Sequence, residues 1–157
     1  MHLDDNQAFP TIDRQNMLAE IDGLPHQLAE AYRLGHSLPL PLEQPVRQVL
    51  VAGMGGSAIG ADLLAAYAAP LASVPIIVLR SYDLPAWARS PQTLVIASSH
   101  SGNTEETLSV FDQALASGCQ MLAVSTGGKL ADAAQQAGAP VWLFRHAGQP
   151  RAAVGFS

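Results

Sequence analysis

From Arg47 onward, short apolar runs alternate with stretches in which apolar residues recur every three or four positions. The runs are Val49–Ala52, Ile76–Leu79, Leu94–Ser98, Met121–Val124 and Val141–Phe144. They are apolar almost throughout instead of at alternate positions, which predicts parallel strands covered on both faces. Between them, Ser57–Tyr67 predicts a helix with Ile59, Leu63, Ala66 and Tyr67 on one side. Thr104–Ser117 predicts another, with Leu108, Phe111 and Leu115 in line and Gly118 as its stop. Lys129–Ala137, ended by Gly138, predicts a third, and Leu84–Trp87 reads as a short helical or irregular connection. Strands alternating with helices imply an α/β domain: a doubly wound, three-layer αβα sandwich on a five-stranded parallel sheet.

Residues 1–40 read as a helical lead-in packed on a single domain over 41–157. Asp13 is placed to cap a helix in which Met17, Leu18 and Ile21 share a face. Gly23-Leu24-Pro25 reads as a break. A second helix then carries Leu24, Leu28, Ala31 and Tyr32 at helical spacing and ends at Gly35. Leu38–Pro45, with three prolines, reads as a linker.

Right-handed crossovers bring every strand-to-helix loop to the same edge of such a sheet. Two of these loops carry chemistry. Gly53–Gly60 reads GMGGSAIG after the first strand, and Ser99–Thr104 reads SHSGNT after the third. If those strands are neighbours, as in flavodoxin-like order, the loops face one crevice, where open α/β folds bind ligands. Gly53, Gly55 and Gly56 permit close approach of a ligand to the main chain. Ser57 can cap the following helix or turn its hydroxyl to an anion. Ser99, Ser101 and Thr104 supply three hydroxyls within six residues, and Gly102 permits the turn. Asn103 and Glu106 have the spacing of a capping box, and Glu105 and Glu106 suit a helix N-terminus. Neither loop contains Lys or Arg, so the implied anion is held by neutral donors and a helix dipole, which suits one phosphate on a small molecule.

Composition narrows the picture. The net charge of −5 and the absence of a basic stripe argue against a nucleic-acid partner. No apolar run approaches the ~18 residues of a membrane span. The opening MHLDDNQAFP lacks the apolar stretch of a signal peptide, so a cytoplasmic protein is expected. Cys119, the single cysteine, reads as a small core residue, with a reactive thiol as the alternative. The histidines and Cys119 have no metal-ligand spacing, so no metal is expected.

The glycine loops leave other readings open. GMGGSA matches a dinucleotide fingerprint with alanine in third place, but that reading wants an acid about 20 positions on. The second strand instead runs into Arg80, with Asp83 beyond, which leaves an NADP site as a remote alternative. SGNTE also resembles a flavodoxin phosphate loop, but it follows the third strand, not the first. Tight turns and helix caps without any ligand are the remaining option.

GMGGSAIG, SHSGNTEET and STGG (Ser125–Gly128) together resemble a sugar isomerase (SIS) domain. More narrowly, the chain resembles the N-terminal half of the bifunctional phosphoglucose/phosphomannose isomerases. Leu24-Pro25, Arg80–Pro85 and Gln149-Pro150-Arg151 add to the likeness. The resemblance implies that Gly55, Gly56, Ser57, Ser99, Ser101, Gly102, Asn103 and Thr104 bind the phosphate of a hexose 6-phosphate, without a cofactor. It implies that Arg151 stabilises negative charge on an enediolate, and that the protein forms a homodimer. Members of the family carry two SIS domains, and the second supplies the glutamate base, the ring-opening histidine and a lysine. This sequence stops before any of them, so the chain alone is expected to bind a sugar phosphate and not to turn it over. Neither Glu105, Glu106, His100 nor His146 makes a convincing base with an acid partner. A non-enzymatic phosphosugar-sensing module is the alternative function.

Overall fold

The computed structural model describes residues 7–156. The polar opening Met1–Asn6 and the terminal Ser157 lie outside that range, and so does the part of the leader and chain-end expectations that falls on them.

Five strands form one parallel sheet in the order β2-β1-β3-β4-β5: β1 Gln48–Ala52, β2 Ile76–Leu79, β3 Thr93–Ser99, β4 Gln120–Ser125 and β5 Val141–Leu143. β1 and β3 are neighbours, with Ala52 opposite Ala97, so the condition that brings their two loops side by side at one sheet edge is met. The helices are α1 Phe9–Ile12, α2 Met17–Asp22, α3 Leu24–Ser37, α4 Gly55–Ala68, α5 Glu105–Ala116 and α6 Gly128–Gln136. The β2–β3 connection holds only a 3-10 turn, Ala86–Ala88.

Successive strand residues point to opposite faces. One face carries Leu50, Ala52, Val95, Ala97, Met121 and Ala123, and packs against Val110, Phe111 and Ala114 of α5 and Leu130 and Ala134 of α6. This is the main core. The other face lies under α3 and α4, where Val51, Ile96, Leu122 and Val124 line an apolar groove of about 540 Å³. The lead-in is tied across this face to the far end of the chain. Gln27 Nε2 donates to the Ala152 carbonyl at 2.9 Å, Gly155 N donates to Gln27 Oε1 at 2.7 Å, and Trp142 Nε1 donates to the Pro39 carbonyl at 3.0 Å.

Several local expectations change. Gly23 has helical angles (φ −76°, ψ −14°), so α2 and α3 follow with no break at Gly23. α3 runs through Gly35 to Ser37, and a hydrogen is all that Gly35 presents to Trp142, whose ring would stand 3.6 Å from a Cβ there. α1 adds a short helix ahead of the two named for the lead-in. Asp13 does hold the start of α2, but from four and five residues away: its two carboxylate oxygens accept from Met17 N and Leu18 N, each at 2.8 Å. Ile59, Leu63 and Tyr67 of α4 face outward, Tyr67 at 74% exposure, while the buried side is the small-residue row Ser57, Ala58, Gly60 and Ala61.

Candidate functional site

The β1–α4 loop begins with Gly53, whose N–H donates to the Leu79 carbonyl at 3.2 Å. A Cβ on Gly53 would stand 3.0 Å from the Ser98 carbonyl, so this loop lies against the end of β3. Met54 is extended (φ −127°, ψ 157°) and the helix starts at Gly55, in the left-handed region at φ +52°. No heavy atom lies within 4 Å of where a Gly55 Cβ would be. The Gly55 and Gly56 N–H groups are therefore among the unpaired donors of the α4 terminus. Because the helix begins two residues earlier than expected, Ser57 is its third residue and does not cap it. Its side chain is buried.

Gly56 has a second role. A Cβ there would stand 2.8 Å from the Pro150 carbonyl and 3.0 Å from Arg151 Cα. The 3-10 turn Pro150–Ala152 thus packs on the first turn of α4, and the exposed Arg151 stands beside Gly56 despite 95 positions of separation. The glycine is required by the chain's own backbone as much as by any ligand.

The β3–α5 loop is held by internal bonds. Ser99 Oγ and Thr104 Oγ1 are 2.9 Å apart, and Ser99 Oγ accepts from Gly102 N at 3.1 Å. Gly102 has φ +68°, and a Cβ there would fall 1.8 Å from the Gly127 carbonyl, so only glycine fits. Thr104, not Asn103, sits at the N-cap of α5, in extended conformation and without a side-chain cap. Asn103 turns instead to the β4–α6 loop: its Oδ1 accepts from Lys129 N at 3.3 Å and its Nδ2 donates to the Ser101 carbonyl at 3.0 Å. The expected capping box is absent because this amide bridges two loops.

That third loop, Ser125–Gly128, is what residue-by-residue reasoning left without a function. Thr126 donates to the His100 carbonyl through both N (3.1 Å) and Oγ1 (2.7 Å), and Leu130 N donates to the Gly102 carbonyl at 2.9 Å. Ser125 Oγ donates to the Gly127 carbonyl at 2.7 Å, closing the turn. STGG is a brace for SHSGNT, and its sequence signal was the second Ser-Thr-Gly cluster at a strand end.

Ser101 is exposed, its Oγ accepting from Asn103 N at 3.2 Å. Thr107, on the buried side of α5, has an Oγ1 with no hydrogen-bond partner among the described residues. Glu105 is engaged at the rim, accepting from Tyr82 Oη at 3.4 Å. The charges of Glu106 and Glu105, together with some burial, raise the Tyr82 pKa above its ordinary value. Arg80 pairs with Asp62 of α4. The cation needed for the NADP alternative is therefore already occupied by a carboxylate. His100 and His146 are brought together, with Nε2 and Nδ1 3.0 Å apart. Cys119 is buried, and burial pushes its thiol pKa up. Among the described residues no group of three or more His, Cys, Asp or Glu could hold a metal ion, and no helix is long and apolar enough to cross a membrane.

The arrangement brings the N-terminus of α4 and the hydroxyl-bearing loop after β3 to one edge of the sheet, with no Lys or Arg in either loop and with Arg151 beside Gly56. No protein-family model matches the chain. It is 43% identical over 142 residues to a bifunctional phosphoglucose/phosphomannose isomerase of Caldicellulosiruptor bescii, covering 90% of this chain and 42% of the relative. It is 34% identical over 113 residues to one of Aquifex aeolicus, covering 71% and 35%. The chain thus spans between about a third and two fifths of the length of the curated relatives it matches. Among solved structures, tagatose-6-phosphate ketose/aldose isomerase from Escherichia coli is similar at TM-score 0.53 and 20% identity, over 91% of this chain and 41% of that one. The Vibrio vulnificus NanR protein complexed with ManNAc-6P is similar at TM-score 0.59 and 16% identity, over 95% and 58%. By sequence, this chain is a homologue of part of the bifunctional phosphoglucose/phosphomannose isomerases, and its sheet and helices are those of the phosphosugar-isomerase SIS fold.

Proposed function

We propose that this chain binds a hexose 6-phosphate as the phosphate-holding part of an aldose–ketose isomerase acting between glucose or mannose 6-phosphate and fructose 6-phosphate. The observation that carries this reading is the adjacency of β1 and β3, which sets GMGGS beside SHSGNT at one edge of the sheet. In this reading the Gly55 and Gly56 N–H groups and the Ser57, Ser99, Ser101 and Thr104 hydroxyls hold the phosphate. Gly102 and Asn103 keep the second loop in shape. The phosphate anchors the substrate, and its sugar carbons extend toward Arg151.

Isomerisation moves a proton between C2 and C1 through an enediolate. A base takes the C2 proton, the electron pair becomes the C1–C2 double bond as the C1 carbonyl π pair moves onto O1, and C1 is then reprotonated as the O2 hydroxyl gives up its proton and the C2 carbonyl forms. A guanidinium beside the enediolate oxygens stabilises the charge that develops there, which is the role proposed for Arg151. The base belongs to a second SIS domain of the same polypeptide, which is consistent with relatives more than twice this length. The curated relatives' names favour the isomerase over a phosphosugar sensor. The same reading holds residues 41–157 as the sugar-phosphate unit with 1–40 docked on it. It also holds the protein to be cytoplasmic and a second copy to cover the apolar α3–α4 face.

Thermal unfolding with glucose 6-phosphate, mannose 6-phosphate, fructose 6-phosphate and NADP tests the binding claim. A ligand at 100 times its Kd adds about 2.7 kcal/mol of stability. A rise in Tm with a hexose phosphate is expected. A shift with NADP and none with any hexose phosphate would overturn the reading.

A further inference from the structure

The loop that carries Ser99 and Ser101 also carries His100, which ends a chain of titratable groups unused so far. His100 Nε2 lies 3.0 Å from Nδ1 of His146, in the segment after β5, and the rings meet edge to face with centroids 5.2 Å apart. The His146 side chain is 9% exposed, and its Nε2 is buried with no hydrogen-bond partner among the described residues. Glu20 of α2 stands behind it, with Oε2 3.7 Å from that nitrogen.

The bond between the rings holds one proton, and its direction sets the other positions. Were His146 to donate through Nδ1, its neutral ring would aim a buried Nε2 lone pair at a carboxylate. When His100 donates through Nε2, His146 carries its own proton on Nε2, facing Glu20. Repulsion becomes attraction, at a depth where burial strengthens both. This arrangement leaves the remaining lone pair on Nδ1 of His100, within the SHSGNT loop.

We propose that Glu20, His146 and His100 form a carboxylate-backed relay through which His100 takes up one proton when a phosphate monoester binds the SHSGNT loop. The proposal rests on the phosphosugar reading above. Neither loop contains Lys or Arg, so this proton supplies positive charge within the loop itself. It arrives from solvent and forms the Nδ1–H bond. The resulting cation donates through Nε2 to His146, whose own N–H faces the Glu20 carboxylate. Burial first, and His146 second, hold the His100 pKa below its ordinary value, so the ring is neutral near pH 7 and able to respond. The titratable and charged groups facing the pair are His146 itself and Glu20 of α2. Phe144, 5.8 Å from His100 between centroids, and Thr126, bonded to the His100 carbonyl, add no charge.

A pKa raised by binding makes affinity rise as pH falls toward the bound-state value. Nitrogen-15 histidine NMR of the unliganded chain reads the tautomers. Calorimetry with glucose 6-phosphate at pH 7.5, in two buffers of different ionisation enthalpy, reads proton uptake. Sulfate, a dianion across this range, serves as a second probe. The expected results are an Nε2–H tautomer at His146 and an uptake approaching one proton per ligand. His100→Gln should abolish the uptake and Glu20→Gln should reduce it. Affinity should be about fivefold tighter at pH 7 than at pH 8. An Nδ1–H tautomer at His146, or equal uptake in His100→Gln, overturns the relay. Uptake with sulfate but no binding of glucose 6-phosphate keeps the relay and removes the sugar. No uptake with either ligand overturns the relay.

Discussion

Gly102 has room for a hydrogen and nothing larger. With φ +68° and the Gly127 carbonyl where a Cβ would go, Gly102→Ala should cost more than ~2 kcal/mol and detach SHSGNT from its brace. Urea denaturation would measure the loss. Gly55 has positive φ but open space above it, so Gly55→Ala should cost only about 1 kcal/mol, from the backbone alone. Gly56→Ala should instead press on Pro150 and Arg151, and lower phosphosugar affinity by moving that turn; a binding isotherm would show it. That these glycines matter was legible in the sequence. Why Gly56 matters was not, because its neighbour lies 94 positions away and no local pattern announces the contact. Cys119 behaved as a small core residue. With its thiol buried and its pKa raised by that burial, it stays protonated at neutral pH. Alkylation should be slow in the native protein and fast in denaturant.

At the scale of elements, the strands and the helix stops were well marked. Gly118 and Gly138 take φ +69° and +68° just past α5 and α6, as a C-terminal glycine does. Which side of each helix turns inward was less legible. Large apolar residues suggested Leu108, Phe111 and Leu115 for α5, but the buried row is Thr107, Val110, Phe111 and Ala114. On α4 the inward row is made of Ser, Ala and Gly. Small residues let a helix approach the sheet closely, so periodicity weighted by size misses the inward row of α4, while on α5 Phe111 and Leu108 do pack on the core and only Leu115 is exposed. Asp13 supplies a prediction at this scale. Backbone N–H groups of Leu18, then Met17, hold its pKa below the ordinary carboxylate value. A carboxylate with a lowered pKa contributes stability above its unfolded value and loses it as pH falls through the folded one. The start of α2 should therefore fray selectively below about pH 4, and Asp13→Ala should reproduce that at neutral pH; amide exchange of Met17 and Leu18 would report it.

Across the whole molecule, the two sheet faces are treated unequally. α5 and α6 close one face. α3 and α4 leave the other with an apolar groove and with Leu28, Tyr32, Ile59, Leu63 and Tyr67 outward. An exposed apolar surface of this kind is a candidate for an interface. If a second copy covers it, Leu63→Glu should shift the protein from dimer to monomer in sedimentation, without moving the phosphate loops on the sheet edge. Strand order was legible only as a condition, since sequence cannot say that β1 and β3 are neighbours. Once they are, the two loops share an edge, and the proposed phosphosugar binding depends on their forming one site. The direct measurement is glucose 6-phosphate binding by wild type and by the Ser57→Ala, Ser101→Ala double variant. One site built from both loops predicts about 100-fold weaker binding in the double variant, at ~1–1.5 kcal/mol per hydroxyl, with an unchanged denaturation midpoint; equal affinity in the two proteins would contradict it.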